Sequence, residues 1–320
     1  MKVKWIGFGA LCTIVILSVL YVIVRMEKDN FFGVLIFLSI LLLVGLFFEW
    51  KEERRKENLN DKGNNLLIEG LFVIGGGIAT YFMSYFLGNY VVLFSTMVGL
   101  VGHFAFRKWE VAIFCGSFAG MTSIFIVNPY QIVLAAVLTA LIYALTKPIF
   151  KGFGGKLGTI AFTGTILSFL LLEKSFAMTS VIEPNAMIVY VAVLGVVSTY
   201  IVQHILKQTP VFASSVTTLV FSILVVTFFN QNTMYLAVFY AASFVGMSDK
   251  KRLPNIAIAG LAGVTIGYVY TIFTPYYNGA GGKLGTMALI STIMISGLNI
   301  FMRYFIKLLE IKPRSDNFKT

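Results

Sequence analysis

Gly154-Gly155-Lys156-Leu157-Gly158-Thr159 recurs letter for letter as Gly281-Gly282-Lys283-Leu284-Gly285-Thr286, 127 residues later. Six identical residues at one offset mark an internal duplication. The likeness extends upstream, where Ala112, Phe114, Ser117, Phe118, Gly120 and Met121 match Ala237, Phe239, Ser243, Phe244, Gly246 and Met247, with one inserted residue. The shared core reads Ser-Phe-x-Gly-Met followed by a hydroxyl residue, Thr122 or Ser248. Tyr143 and Pro148 match Tyr270 and Pro275 between the blocks, and Ala161 and Thr165 match Ala288 and Thr292 beyond the hexapeptide. A weaker echo aligns Thr80-Tyr81 with Thr199-Tyr200.

The setting of this repeat is a bilayer. Hydrophobic residues make up 58% of the chain and charged residues 12%, and the mean hydropathy is +0.86. Continuous apolar runs separated by short polar loops predict an all-α polytopic membrane protein. A β-barrel would alternate over strands of about ten residues. Cys12 and Cys115 both fall inside apolar runs, and the histidines are His103 and His204 alone. No disulfide framework, metal centre or other cofactor is therefore expected. The basic N-terminus lacks a small-residue cleavage pattern before Arg25 and reads as a span rather than a signal peptide.

Hydropathy predicts twelve spans, at about 5–25, 32–49, 67–87, 90–106, 109–127, 130–147, 156–172, 186–206, 210–229, 233–248, 255–274 and 284–306. With the N-terminus in the cytoplasm, only Arg25, Lys28, Lys174 and Lys283 of the 25 basic residues fall outside. The net charge of +11 thus reads as orientation in the bilayer, not as nucleic-acid binding. Trp5, Trp50 and Trp109 land at the cytoplasmic interface, where indole rings anchor. The expectation is a multi-pass protein of the plasma membrane with both termini cytoplasmic.

The repeat divides these spans into an N-terminal hairpin (1–50), a polar cytoplasmic loop (51–65), a five-helix unit (66–175), a second five-helix unit (176–308) and a cytoplasmic tail (309–320). Five is odd, so the second unit enters the membrane from the opposite side. This is an inverted 5+5 helix repeat, with the hairpin peripheral to it. The two hexapeptides are then expected to cap helices on opposite faces of the bilayer.

Two repeated constellations could carry chemistry. Gly154, Gly155, Lys156 and Thr159, with Gly281, Gly282, Lys283 and Thr286, open a span after a glycine-rich turn. Unpaired N–H groups, a lysine and a hydroxyl at a helix start suit an anion or polar solute. The spacing is not that of a Walker motif. The bland reading is a turn whose lysine snorkels to headgroups. The second constellation is Ser117, Gly120 and Thr122 with Ser243, Gly246 and Ser248. It offers hydroxyls and unwound backbone to a pathway, or simply close helix packing. Glu69, His103, Glu110, His204 and Arg303 all fall near predicted span ends, and none marks a mid-membrane acid.

These features point to a transporter or channel for a small polar or anionic solute, with its pathway between the inverted repeats. The expected partners are the lipid bilayer, that solute, and further copies of the chain if it oligomerises. A lipid-handling, flippase-like protein and a non-transporting membrane subunit are the alternatives. An enzyme is disfavoured, because no zinc-binding His-Glu pattern, aspartyl pair or Ser/His/Asp set falls within the spans. The five-plus-five arrangement resembles several carrier and channel folds in architecture, including the urea-channel type.

Overall fold

The computed structural model describes residues 2–26, 32–55, 65–177, 185–228 and 233–310. Most of the expected polar loop (56–64) and nearly all of the tail lie outside them. The described residues form twelve α-helices and no strand: α1 (Lys2–Arg25), α2 (Phe32–Arg55), α3 (Leu66–Leu87), α4 (Val91–Ala105), α5 (Glu110–Gly120), α6 (Gln131–Thr146), α7 (Lys156–Leu171), α8 (Ala186–His204), α9 (Pro210–Phe228), α10 (Thr233–Gly246), α11 (Ile256–Phe273) and α12 (Lys283–Glu310). Six of them (α1, α2, α3, α8, α11 and α12) are long and apolar enough to cross a membrane. The other six run from 11 residues in α5 to 19 in α9. Large apolar side chains such as Val24, Leu67 and Phe125 are 80% or more exposed. That exterior suits hydrocarbon rather than water, so the chain is a membrane-embedded helical protein.

Helix ends follow local chemistry. Asn185 and Asn255 accept the N–H groups of Met187 and Ile258 and so start α8 and α11. The fifth span was expected to run to 127, but α5 stops at Gly120. The Thr122 hydroxyl donates to the Ala119 carbonyl at 2.6 Å, and Asn128 collects the N–H groups of Tyr130 and Gln131 to begin α6. An apolar turn lies between these two points.

The packing partners fall into two parallel sets. Helix α3 packs on α5 and α6, α4 on α5, and α6 on α7; α8 packs on α10 and α11, α9 on α10, and α11 on α12. Between the sets, α4 meets α9 and α7 meets α12. The first two helices pack little on each other: α1 lies on α6 and α7, whereas α2 lies on α12. Gly45 and Gly297 let α2 and α12 touch backbone to backbone.

Three buried acids near helix ends face basic partners. Helix α2 continues past residue 49 because its acids face partners: Glu49 takes both Arg252 nitrogens at 2.6 and 3.0 Å, and Glu53 meets Lys4 at 2.9 Å. Lys147 meets Glu69 at 2.7 Å.

Candidate functional site

The two Gly-Gly-Lys loops meet. A Cβ on Gly158 would lie 2.6 Å from the Gly285 Cα, and one on Gly285 would lie 2.5 Å from the Gly158 Cα. On either side of this point the order reverses: Gly155 abuts Leu289 and Ala288, and Gly282 abuts Phe162. Helices α7 and α12 therefore cross antiparallel, glycine to glycine, with their first two turns overlapping. Each helix starts two residues before this point, so at 1.5 Å per residue the two starts are separated along the axis by about 6 Å. The hexapeptides were expected at opposite faces of a bilayer, whose core is about 30 Å thick. They instead start in opposite senses around one crossing point deep in the fold. The glycines are what permit that approach.

Each loop is held by the other set's Ser-Phe-x-Gly-Met block. The Gly154 N–H donates to Ser248 Oγ at 3.0 Å, and the Gly281 N–H donates to Thr122 Oγ1 at 3.2 Å. Alongside, the N–H groups of Asp249 and Ser123 donate to the carbonyls of Gly152 and Gly279, both at 2.9 Å. The lysines turn back on their own loops. Lys156 donates to the Lys147 carbonyl at 2.7 Å. Lys283 donates to the Thr274 carbonyl at 2.8 Å and to Asn278 at 2.6 Å. Both carbonyls stand at the C-terminal end of the preceding helix, where a cation is favourable.

The remaining expected residues stand behind the loops. The Thr159 and Thr286 hydroxyls point to their own helices, at Gly155 and Gly282. Gly120 sits against the α3 backbone at Gly77, and Gly246 sits against α8 at Val196 and Thr199, so both serve close packing. Ser117 and Ser243 belong to buried hydroxyl chains. Ser117 donates to the Phe114 carbonyl, so it accepts from Ser95, which in turn accepts from the Tyr240 hydroxyl, with links of 2.8 Å. Ser243 donates to the Tyr240 carbonyl and accepts from Ser214 at 2.7 Å.

Two cavities flank the crossing. The first, of 250 Å³, is lined by Gly152, Gly154, Gly155, Lys156, Pro210 and Asp249, among others. The second, of 230 Å³, is lined by Val91, Asn278, Gly279, Gly282 and Lys283, among others. Phe118 and Phe244 belong to both walls. Their rings lie 4.8 Å apart at 61°, backed by Phe114 at 4.5 Å from Phe118 and Tyr240 at 4.3 Å from Phe244. These two residues are common to both walls, beside the Gly158–Gly285 contact, whose glycines line the first and the second cavity respectively. Sequence reasoning saw Phe118 and Phe244 as a matched pair but gave them no role. Their place inside the duplicated block was the available signal.

Lys151, Lys156 and Asp249 stand around the first cavity, while the second wall carries Lys283 and Tyr270. Three other titratable residues near span ends are engaged. His103 Nδ1 lies 2.7 Å from Glu110 Oε2, to which the Thr209 hydroxyl also donates at 3.2 Å. His204 donates to the Ser248 carbonyl at 2.8 Å. Arg303 is exposed on α12. No protein-family model matches the chain, nor does any curated protein or solved structure.

Proposed function

We propose that the protein is a transporter or channel for a small polar or anionic solute, built as an N-terminal helix pair plus an inverted 5+5 repeat. The pathway runs from one cavity to the other past Phe118 and Phe244. One observation carries this reading: two cavities of similar volume, each walled by a copy of the same loop, share those two rings. The parallel sets of helix contacts and the reciprocal hydroxyl-to-glycine bonds support the repeat. A lysine at each cavity raises the local concentration of anions. Under the positive-inside assignment the first cavity opens to the cytoplasm and the second to the outside.

The lipid-handling alternative has its own feature, an apolar groove of 500 Å³ between α8 and α9. It shares no wall residue with either cavity. The lysines and the duplicated loops therefore stand apart from it, which favours the solute reading.

Proteoliposomes test the proposal with a panel of small anions and neutral polar solutes. The wild-type protein passes at least one of them. Phe118→Ala with Phe244→Ala raises that flux about tenfold or more, an activation free energy of roughly 1.4 kcal/mol. Lys156→Gln or Lys283→Gln shifts the preference away from anions. No flux across the whole panel, for wild type and the double variant alike, overturns the proposal.

A further inference from the structure

Helix α1 lies outside the duplicated units, yet it touches both loops. The Phe8 ring stacks on Phe150 at 5.2 Å and 10°, and the Tyr21 ring packs on Tyr277 at 4.8 Å and on Tyr276 at 6.1 Å. Phe150 and Tyr277 are matched at the hexapeptide's own offset of 127. Both are buried and both hold a left-handed backbone, with φ of 50° and 57°. A non-glycine residue keeps that conformation only where its surroundings over-determine it, since it costs about 1–3 kcal/mol. Phe8 and Tyr21 are thirteen residues apart on one helix, a span of about 20 Å. Helix α1 is a strap of fixed length between the two loops.

Further ties cross between the units on both sides at once. On the first side, Arg252 packs over the Phe153 ring at 3.9 Å while it holds Glu49 of α2. Asp249 and Ser248 bond Gly152 and Gly154. On the second side, Thr122 Oγ1 accepts from the Gly281 N–H at 3.2 Å and the Ser123 N–H donates to the Gly279 carbonyl at 2.9 Å.

From this we infer that solute moves by a channel mechanism, with the two units held at constant spacing and the Phe118 and Phe244 rings as the moving part. The inference rests on the transport reading above. A rocking carrier opens one cavity as it closes the other and breaks the ties on the opening side. Here both sets of ties are made, and the cavities measure 250 and 230 Å³. Movement of the two phenyl rings breaks no hydrogen bond, since neither side chain makes one.

The test uses the full chain in bilayers, with nitroxide labels on Val91→Cys of α4 and Pro210→Cys of α9 after replacement of Cys12 and Cys115. These two positions lie on different units and line different cavities. A single narrow distance distribution is expected, unchanged by sodium chloride, sodium formate or urea. Two populations, or a shift approaching one helical turn of about 5 Å, overturn the channel mechanism. In proteoliposomes, isotope-labelled uptake of any permeant panel member should not be accelerated by unlabelled solute on the far side. Trans-acceleration of several-fold overturns the inference but leaves transport standing. A single distance population with no flux across the panel leaves the fixed spacing intact and overturns transport instead.

Discussion

At Gly158 and Gly285 a hydrogen atom stands where any other residue would place a carbon against backbone. Gly75 and Gly9 are glycines of helix interiors with open space around the Cβ position. The contrast yields a prediction. Gly158→Ala forces apart two backbones that have no flexible side chain to give way, and it destabilises the protein by about 1–3 kcal/mol or more. Gly75→Ala gains up to about 1 kcal/mol from helix propensity. Thermal unfolding in one detergent should therefore move in opposite directions for the two variants, and equal shifts would contradict the crossing. The repetition of these glycines was plain in the sequence. That Gly158 meets Gly285 was not, because a repeat does not say whether its copies touch. The lysines were the harder case. A side chain that turns back to the Lys147 or Thr274 carbonyl looks, in sequence, the same as one aimed at a solute.

At the scale of elements, hydropathy placed nearly every helix, because each is apolar along its whole length and the connections are short. It overran α5, since Ile124, Phe125, Ile126 and Val127 continue an apolar run that the backbone leaves at Gly120. Composition cannot separate an apolar turn from a helix, and Asn128-Pro129 was the boundary signal. The end of α2 was also misjudged. Glu49 read as the last residue of the second span and Glu53 as part of the polar loop, yet they are 1% and 2% exposed. Their partners, Arg252 and Lys4, are remote in sequence. Arg252→Met leaves the Glu49 carboxylate buried beside a lost partner and should cost about 3–5 kcal/mol. Adding Glu49→Met should recover much of that loss, because the unpaired charge is then gone. A double variant no more stable than Arg252→Met would show that the pair is not what joins α2 to the α10–α11 turn.

For the whole molecule, the duplicated blocks and the apolar, all-helical character were readable in the chain. The depth of the loops and the partition between the cavities were not, because both depend on how far α7 and α12 overlap. In the proposed pathway the two cavities open to opposite sides of one membrane and meet at Phe118 and Phe244. Gly152 and Gly279 are poor reporters of this, since both hold a positive φ, 79° and 87°, against close neighbours. Pro210 and Val91 begin α9 and α4, and they line the first and second cavity respectively. The decisive measurement is labelling of Pro210→Cys and Val91→Cys, singly, by a membrane-impermeant maleimide in sealed vesicles after replacement of Cys12 and Cys115. The account predicts that Pro210→Cys reacts only from the cytoplasmic face and Val91→Cys only from the opposite face. Reaction of both from the same face would contradict it.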